Sequence, residues 1–420
     1  MLKILHSSDW HIGKSLYARG RLDEFAAVLD WLAGLVERLE IDIVLVAGDI
    51  FDTATPGTKA QELYYAFLHR VTRDSRCRVV VTAGNHDSPS FLSAPEALLA
   101  PLGVYARGHA RAPEDDVLLL RDRDGAPQAV VCAIPYLRDR DLRRAEAGES
   151  PEDKERKLLD GLAAHYAAAA ARAEALRAEA GGCVPVIGMG HLFTQGGRVR
   201  EGEAVRDLYV GALGHVPAAL FPESLDYLAL GHLHGAQKVA GRETMRYSGS
   251  PLPLSFSEAG QEKSVCLLEC EGRDLTVSTL PVPVFRRLHS LKGNLESLIG
   301  QIAALRDERG NVGREEGEEA WLELVYDGGE VIPDLRGRLE EETAGAGGLE
   351  ILCVRNLNSA LYGLEQEYAG ETLNDLDRED VFLRRLAAGN IEGETREELL
   401  GMYREVAASL DARDDQEGER

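Results

Sequence analysis

Five apolar segments of this chain end in the same kind of side chain, and this repeated pattern restricts the fold more than any other feature. Each segment is short and rich in β-branched residues, and each is followed at once by Asp, Asn or His. Glycines immediately before four of these ends let the chain turn sharply. Parallel strands end at one edge of a sheet, so the five ends can converge on a single crevice. They are Ser8-Asp9-Trp10-His11, Gly48-Asp49, Gly84-Asn85-His86-Asp87, Gly190-His191 and Gly231-His232-Leu233-His234.

The pattern through about residue 285 is that of an α/β fold, in which buried strands alternate with helices. Apolar residues recur at steps of three and four from Leu22 to Leu39, which predicts a helix that covers a sheet. Residues 153–180 are rich in Ala, Glu, Arg and Leu and end at Gly181-Gly182, so one long exposed helix is expected there. Strands are predicted at residues 2–5, 41–47, 78–83, 129–134, 184–189 and 226–230.

Two further regions follow residue 285. The first is a smaller βαβ-like module with strands at 321–326 and 350–355, and Pro333 stands where the first turn of its helix would begin. The second is acidic and is predicted to form two short amphipathic helices, at 382–386 and 395–410, before a polar tail with the composition of disordered segments. We therefore expect three regions, at residues 1–285, 286–365 and 366–420.

Composition limits the classes of protein to which the chain can belong. A length of 420 residues with 44% hydrophobic content predicts two or three domains. The six cysteines lie without short paired spacings, which argues against a zinc knuckle or a disulfide framework and favours a reducing cytosol. The chain opens on a strand-like run, and no apolar stretch approaches the length of a membrane span. We expect a cytoplasmic protein with no membrane contact.

The residue types at the five strand ends predict a metal site. Carboxylate, amide oxygen and imidazole without thiolate suit harder divalent ions such as Mn²⁺, Fe²⁺ or Zn²⁺. His232 and His234 are two residues apart at a strand-to-loop transition, where they can diverge toward adjacent ions. Two ions about 3.5–4 Å apart can clamp the attacking and leaving oxygens of a phosphoryl group. Each motif alone could be a turn, but satisfied core groups would not all fall at strand ends.

In this order the motifs resemble those of the calcineurin-like metallophosphoesterases, and more closely those of the SbcD branch of the double-strand-break nucleases. The similarity covers the nuclease portion, whereas the C-terminal third matches mainly in organisation. It implies a four-layer α/β/β/α metallophosphoesterase sandwich, then a small α/β capping domain and C-terminal helices. Three further stretches carry the closer match: LHSSDWHIGK at 5–14, GDIFDT at 48–53 and YSGSPLPLSF at 247–256.

The resemblance implies two ion sites that share one carboxylate, Asp49. His86 matches the family histidine that stands beside the metals and donates a proton to the leaving oxygen, and Asp87 would orient it through a hydrogen bond. Archaeal relatives carry a histidine where this chain has Asp52, so that histidine's contribution does not transfer, and Asp52 is expected to cap a turn or support a ligand. The implied ligands are Asp9, His11 and His234 for one ion and Asn85, His191 and His232 for the other, with Asp49 bridging.

The same resemblance implies an activity and partners. It points to a manganese-dependent DNA nuclease, a 3′–5′ exonuclease on double strands and an endonuclease on single strands and hairpins, which acts in repair, recombination and replication. The implied partner is an SbcC-type ATPase, and the base of its coiled coil would bind the C-terminal helices. The chain itself has no Gly-x-x-x-x-Gly-Lys-Ser/Thr loop, so a partner must handle ATP. A homodimer within a heterotetramer is also implied, with contacts near 58–72 and 90–100 and a location at the cytoplasmic nucleoid.

Two other functions stay open from the residues alone. A small-molecule phosphodiesterase or phosphatase could use the same metals, and the formal net charge of −24 favours it, because DNA-binding surfaces are usually basic. Bound ions can themselves supply the positive charge that a phosphate meets, and the capping domain and docking helices argue against a small substrate. The second alternative is a non-enzymatic scaffold, which the presence of His86 beside a complete ligand set opposes.

Several surface features also have two interpretations. The run RDRDLRR at 138–144 either contacts a DNA backbone or forms a solvated face whose charges neutralise one another. The loop at 194–206, rich in glycine and arginine, is a candidate substrate loop. The apolar stripes of the C-terminal helices either pack on the body or bind the partner. Histidines outside the motifs are expected to be structural or on the surface, with His6 in a core hydrogen bond.

Overall fold

The computed structural model describes residues 1–74, 76–144, 146, 148–194, 216–311, 319–330, 332–344, 348–357 and 400. Contacts divide the chain into two compact units. The first contains Met1–Ser290 and Glu316–Trp321, and the second contains Leu291–Glu315 and Leu322–Arg420.

The first unit contains two six-stranded sheets. Its strands are β1 (Leu2–Ser7), β2 (Ile43–Ala47), β3 (Arg78–Thr82), β4 (Val104–Arg107), β5 (Val117–Arg121), β6 (Pro127–Cys132), β7 (Val186–His191), β8 (Tyr227–Gly231), β9 (Gln237–Val239), β10 (Arg242–Tyr247), β11 (Ser264–Glu271) and β12 (Asp274–Pro281). The strand orders are β12-β11-β1-β2-β3-β4 and β5-β6-β7-β8-β10-β9. Strands β1 to β4 are parallel, as are β6, β7, β8 and β10. Their carboxyl ends therefore share one edge in each sheet.

Helices cover the outer face of each sheet. They are α1 (Leu22–Leu39), α2 (Thr58–Thr72), α3 (Pro89–Ser93), α4 (Glu96–Leu99), α5 (Asp139–Leu142) and α6 (Pro151–Glu179). One apolar core lies between α1, α2 and the first sheet, a second between the two sheets, and a third between the second sheet and α6. This is the four-layer α/β/β/α sandwich that the sequence predicted.

Strand β2 shows why the central strands are apolar at every position. Val44 and Val46 pack toward the helices, whereas Ile43, Leu45 and Ala47 pack toward the second sheet. Because successive side chains point to opposite faces and both faces are covered, no position of the strand tolerates a polar residue. The first polar side chain follows the strand, at the sheet edge.

The prediction that α6 is exposed is wrong. Its residues Leu158, Leu162, Tyr166, Ala169 and Ala173 recur at helical spacing and are buried, and the Tyr166 hydroxyl donates a hydrogen bond to the Met189 carbonyl at 3.1 Å. Alanine contributes little to an apolar pattern, yet its small side chain lets a helix approach a sheet closely, so the stripe was missed. The predicted glycine stop is confirmed, since Gly181 and Gly182 both have positive φ.

Six strands of the first unit were not predicted: β4, β5, β9, β10, β11 and β12. Most lie toward the edges of the sheets, where one face meets solvent and the apolar run is shorter. In β12, for example, the residues alternate between exposed and half-buried. The predicted strands agree with the structure to within about two residues at each end, the usual uncertainty of such boundaries.

After β12 the chain forms a separate three-stranded sheet, β13 (Arg287–Gly293), β14 (Ala320–Tyr326) and β15 (Leu349–Asn356), with the helices α7 (Leu295–Asn311) and α8 (Leu335–Thr343), and most of these residues belong to the second unit. The two predicted strands are confirmed, and their side chains pack with Leu298, Leu335 and Leu339 in one small core. The helix predicted to begin at Pro333 begins two residues later, at Leu335. The helix starts later because the Asp334 carboxylate caps it, accepting a hydrogen bond from the Gly337 amide.

The remaining sequence predictions fall outside the described residues. These are the loop at 194–206 apart from Thr194, the helices at 382–386 and 395–410 apart from Leu400, and the tail at 411–420. Within the ranges that the structure describes, no helix has the combination of length and apolarity that crossing a bilayer requires.

Candidate metal centre

The five predicted strand ends meet at one place in the first unit. Strands β1, β2 and β3 are neighbours in the first sheet and carry Asp9, Asp49 and Asn85 just beyond their carboxyl ends. Strands β7 and β8 are neighbours in the second sheet and lead to His191 and His232. Ligand atoms of Asp9, His11 and His234 lie within 4.8 Å of one another, as do those of Asp9, Asp49 and His191. Asn85 Oδ1 and His232 Nδ1 lie 3.0 Å and 3.4 Å from His191 Nε2, so residues from all five strand ends lie together.

Backbone strain is concentrated at these residues. Nine non-glycine residues of the described ranges have positive φ, and four of them are candidate ligands: Asp9 at 53°, His11 at 49°, Asp49 at 51° and His232 at 111°. This region of φ is costly for residues with a Cβ atom, and such outliers persist where surrounding structure fixes them. At each of these strand ends the positive φ turns the backbone sharply, and the turn directs the polar side chain toward the cluster.

Glycines beside the ligands are required because three strand ends approach closely. A Cβ atom on Gly84 would lie 2.1 Å from an Asp49 carboxylate oxygen, and one on Gly48 would lie 2.1 Å from His191 Nδ1. On Gly231 it would lie 1.8 Å from the Ala47 carbonyl oxygen. Only Gly48 of these three has a positive φ. Space, more than backbone freedom, explains the glycines at positions 84 and 231.

We expect Gly231→Ala to lower the free energy of unfolding by about 3 kcal/mol, the upper end of the usual cost of overpacking. The new methyl group would push the ends of β2 and β8 apart and displace His191. Denaturant unfolding of the full chain measures this. Gly20→Ala is the matched control, since a Cβ atom there has no neighbour within 4 Å and φ is not positive. Equal stability of the two variants would contradict the close-packing argument.

Asp49 lies at the middle of the cluster. Its Oδ2 atom is 3.5 Å from His11 Nε2 and 3.3 Å from His191 Nε2, and its Oδ1 atom accepts a hydrogen bond of 2.8 Å from the His86 backbone amide. Burial favours the neutral form of each partner, but the Asp49 charge outweighs it and raises the pKa of His191 to about 9. The pKa of Asp49 is correspondingly lowered despite its burial, by the charge of His191.

The imidazoles are held by oxygen atoms on the side away from the cluster. His191 Nδ1 is 2.9 Å from the Ala47 carbonyl oxygen, and His234 Nδ1 is 3.0 Å from Glu258 Oε1. His11 Nδ1 lies 3.3 Å from Asp52 Oδ1. Carbonyl and carboxylate oxygens only accept, so in the neutral form of each ring, the form that binds metals, Nδ1 would carry the proton and Nε2 the lone pair. His232 differs, because its Nδ1 faces His191 Nε2 at 3.4 Å.

These residues fit divalent ions. His11 is buried, and neither of its ring nitrogens forms a well-aligned hydrogen bond within the described part of the chain. Asp9 and Asp49 are also buried, and among the described residues no lysine or arginine pairs with either carboxylate. Burial raises the pKa of Asp9, and the charge of Asp49 adds to this shift. Two buried carboxylates without a lysine or arginine partner, beside several imidazole nitrogens, form a donor set that fits divalent cations.

His86 stands beside this cluster. Its ring centroid is 4.8 Å from that of His11, and its Nδ1 is 3.0 Å from the backbone carbonyl oxygen of Asp52. The carbonyl accepts, so Nδ1 carries a proton and Nε2 is the ring atom available for proton exchange. Ring nitrogens of His11 and His86 also approach the Asp52 carboxylate, but the Lys14 ammonium already pairs with that carboxylate at 3.0 Å. We therefore assign no ion to this third group.

The predicted hydrogen bond between Asp87 and His86 is wrong. The Asp87 carboxylate is buried and accepts backbone amides of Gly84 at 2.8 Å, Phe51 at 3.0 Å and Ile50 at 3.1 Å. Adjacent side chains in this turn point in different directions, so Asp87 reaches the chain after β2 while His86 faces the cluster. Asp87 joins the loop that carries Asp49 to the loop that carries His86, and His86 is oriented by the carbonyl of Asp52.

Comparison with known proteins gives two matching family models. The calcineurin-like phosphoesterase model matches residues 2–236, more than half of the chain. SbcD_C, described as the Type 5 capsule protein repressor C-terminal domain, matches residues 284–390. A relative from Escherichia coli (strain K12), named as the D subunit of the nuclease SbcCD, is 37% identical over 406 residues, which cover 96% of this chain and 97% of the relative. The chain belongs to the SbcD family.

Two further SbcD relatives bear the same name. That of Rhodobacter capsulatus is 40% identical over 296 residues, covering 68% of this chain and 71% of the relative. That of Bacillus subtilis (strain 168) is 32% identical over 328 residues, covering 77% of this chain and 78% of the relative. As an SbcD nuclease with a calcineurin-like phosphoesterase domain, the chain is a metal-dependent phosphodiesterase.

Sequence reasoning does not find the residues of this SbcD site that support candidate ligands from distant positions in the chain. Glu258 contacts His234 from 24 positions later in the chain, and Ser248 bonds Ser8, whose hydroxyl donates to Asp9. Burial raises the pKa of Glu258, but the hydrogen bond from His234 and the charge of Lys263 dominate and lower it to about 2. The stretch at 247–256 is a recognisable motif, but its distance from His234 in the sequence does not indicate that the segment following it contacts that ring.

The structure bears on two further sequence predictions, the role of the charged run at 138–144 and the environment of His6. In the run at 138–144, Arg143 pairs with Asp139 and Glu149, and Arg140 approaches Asp141 at 3.9 Å. These pairs favour a face whose charges neutralise one another. His6 is fully buried and its Nδ1 lies 3.0 Å from the Tyr227 hydroxyl, which confirms the predicted core hydrogen bond.

Proposed function

We propose that this SbcD chain is a manganese-dependent DNA nuclease whose centre holds two ions bridged by Asp49. The position of the Asp49 carboxylate between His11 and His191, facing both imidazoles through one oxygen, is the observation that carries this proposal. Mn²⁺ suits the mixed oxygen and imidazole donors. The proposed ligands are Asp9, His11 and His234 on one side and Asn85, His191 and His232 on the other.

When bound, such ions lower the pKa of a water molecule and neutralise charge on the phosphate oxygens. The chain's own residues set the geometry. The Asp52 carbonyl holds the Nδ1 proton of His86, so that Nε2, when protonated, can give its proton to the leaving oxygen. Asp87 keeps the two loops that carry Asp49 and His86 at a fixed distance. The Asp52 carbonyl is therefore proposed to position the His86 ring, and Asp87 is proposed to position Asp49 relative to His86.

The proposed substrates are DNA ends and hairpins, cut exonucleolytically from the 3′ side of double strands and endonucleolytically in single strands. The names of the relatives, which describe the D subunit of an SbcCD nuclease, support a partner of the SbcC type. We propose that residues 366–420 bind that ATPase, that residues 286–365 cap the nuclease domain at 1–285, and that the chain acts as a homodimer at the cytoplasmic nucleoid. Exposed Leu98 and Leu102 support a dimer contact near 90–100.

We expect Mn²⁺-dependent cleavage of a DNA hairpin by the full chain, with a higher rate when an SbcC-type ATPase and ATP are added. A small chromogenic diester should be hydrolysed at a rate that the ATPase does not change, because it needs only the metal centre. Gel analysis of the hairpin and absorbance of the diester measure both. Hydrolysis of small diesters alone, with DNA untouched under every condition, would instead support the small-molecule phosphodiesterase.

A further inference from the structure

A buried ion pair lies on the Nδ1 side of the His234 ring. Glu258 and Lys263 are 0% and 6% exposed, and Lys263 Nζ is 2.5 Å from Glu258 Oε2. Both belong to the segment at 248–263, which includes most of the motif noted at 247–256. Moving two charges out of water is costly, and a buried pair is often no more stabilising than apolar residues of the same size. This pair therefore needs an explanation other than stability.

The pair fixes the ring of His234. Glu258 Oε1 accepts the hydrogen bond from His234 Nδ1 at 3.0 Å, while the other carboxylate oxygen is held by Lys263. An ionised carboxylate beside an ammonium group can only accept, so the proton of a neutral His234 must be on Nδ1. The lone pair is then on Nε2, the nitrogen that this arrangement presents for metal binding.

The same pair fixes the backbone of His234. The His234 carbonyl oxygen accepts hydrogen bonds from the Ser250 amide and from Lys263 Nζ, both at 3.1 Å. Glu258 Oε2 in turn accepts the Leu254 amide at 3.2 Å, so the segment is tied to the pair that holds the ligand. Ring and main chain of one candidate ligand are thus restrained by two side chains.

The segment also reaches a second ligand of the same proposed ion. The hydroxyl oxygens of Ser248 and Ser8 are 2.8 Å apart, and the Ser8 hydroxyl donates to the Asp9 carboxylate. Asp9 and His234 therefore share support from residues 248–263. The ligands proposed for the other ion have different supports, of which the contact of His191 with the Ala47 carbonyl oxygen is one.

We infer that Glu258 and Lys263 are positioning residues for the ion proposed to be bound by Asp9, His11 and His234. They select the Nδ1–H form of His234 and hold its Nε2 toward that ion, so they raise the affinity of one of the two ion sites. This inference rests on the proposed two-ion centre. It assigns a role to the motif at 247–256 that the proposed reaction did not require.

Titration calorimetry of the metal-free full chain with Mn²⁺ tests this inference. Glu258→Gln should weaken one of the two binding steps by about 10–100-fold, the usual effect of removing the group that orients a metal-bound histidine. The other step should not change. The double variant Glu258→Gln with Lys263→Met removes both charges, so it should regain thermal stability and keep the weakened step. If the ion pair had only a structural role, the double variant would recover both its thermal stability and the affinity of the weakened Mn²⁺ step.

Asp226→Asn is the matched control. The Asp226 side chain is 10% exposed and also ion-paired, with Arg177 at 2.8 Å, but it precedes β8 and so lies at the end opposite His232. The variant should lose stability and keep both Mn²⁺ affinities. Wild-type affinities in folded Glu258→Gln, or in the double variant if the single one does not fold, would overturn the inference, as would an equal loss of affinity in Asp226→Asn. Fewer than two ions bound by the wild-type chain would overturn the two-ion centre itself.

Discussion

Asp49→Ala is expected to abolish Mn²⁺ binding at both ion sites together and to reduce diester hydrolysis to the uncatalysed rate. Its carboxylate faces His11 at 3.5 Å and His191 at 3.3 Å through one oxygen, so both sites lose the same ligand. The site proposed at Asn85, His191 and His232 then has no carboxylate, and the other site keeps only Asp9 to balance a divalent cation. Calorimetric stoichiometry and chromogenic diester hydrolysis, measured on one preparation, report the two losses.

Asp52→Ala is the control for this result. Asp52 contacts only His11 among the proposed ligands, at 3.3 Å from Nδ1, and it supports that ring without facing the centre of the cluster. Its removal should weaken one ion by about 10–100-fold and leave the other bound. If Asp49→Ala retained two ions, or lost one only, Asp49 would not bridge.

His86→Ala is expected to keep both ions and to lose DNA cleavage by about 10²–10⁴-fold, the usual contribution of a general acid. The structure explains why the ions should stay. Asp49 is held by the backbone amide of residue 86, not by its side chain, so the substitution leaves the hydrogen bond of 2.8 Å in place. Metal binding is measured by calorimetry, and cleavage by gel analysis of a labelled duplex.

The choice of leaving group separates the proposed role of His86 from a general loss of structure. A nitrophenolate leaves without protonation, whereas the alkoxide of a sugar needs a proton, so His86→Ala should retain far more activity on a nitrophenyl diester than on DNA. His109→Ala, at an exposed residue whose ring contacts Ser93, should change neither rate. Loss of metal in His86→Ala would make His86 a ligand.

The candidate ligands were predictable because each follows its own strand directly in the sequence. A buried strand, a turn and a polar residue form a local pattern, and the parallel arrangement of the strands brings such ends together without further information. Asp49 after β2 and His191 at the end of β7 are examples, and both lie where the pattern predicted. The α/β class followed from the same alternation, whereas the four-layer architecture was implied by the resemblance to the metallophosphoesterases.

The supporting residues were not predictable in this way, because their partners are distant in sequence. Asp87 binds backbone amides of Ile50 and Phe51 and not its neighbour His86, since the turn directs successive side chains apart. Glu258 reaches His234 only because the segment at 248–263 folds back over that strand end. Helix α6 was placed correctly but its burial was not predicted, because three of its eight buried residues are alanines, which contribute little to an apolar pattern.

The proposed centre brings five strand ends together around two ions. Anomalous scattering at the manganese edge, from crystals of the full chain grown with Mn²⁺, tests this arrangement most directly. We predict two peaks about 3.5–4 Å apart, one on each side of the Asp49 carboxylate, with His86 outside the ligand shell of both. A single peak, or two peaks with no shared contact to Asp49, would contradict it.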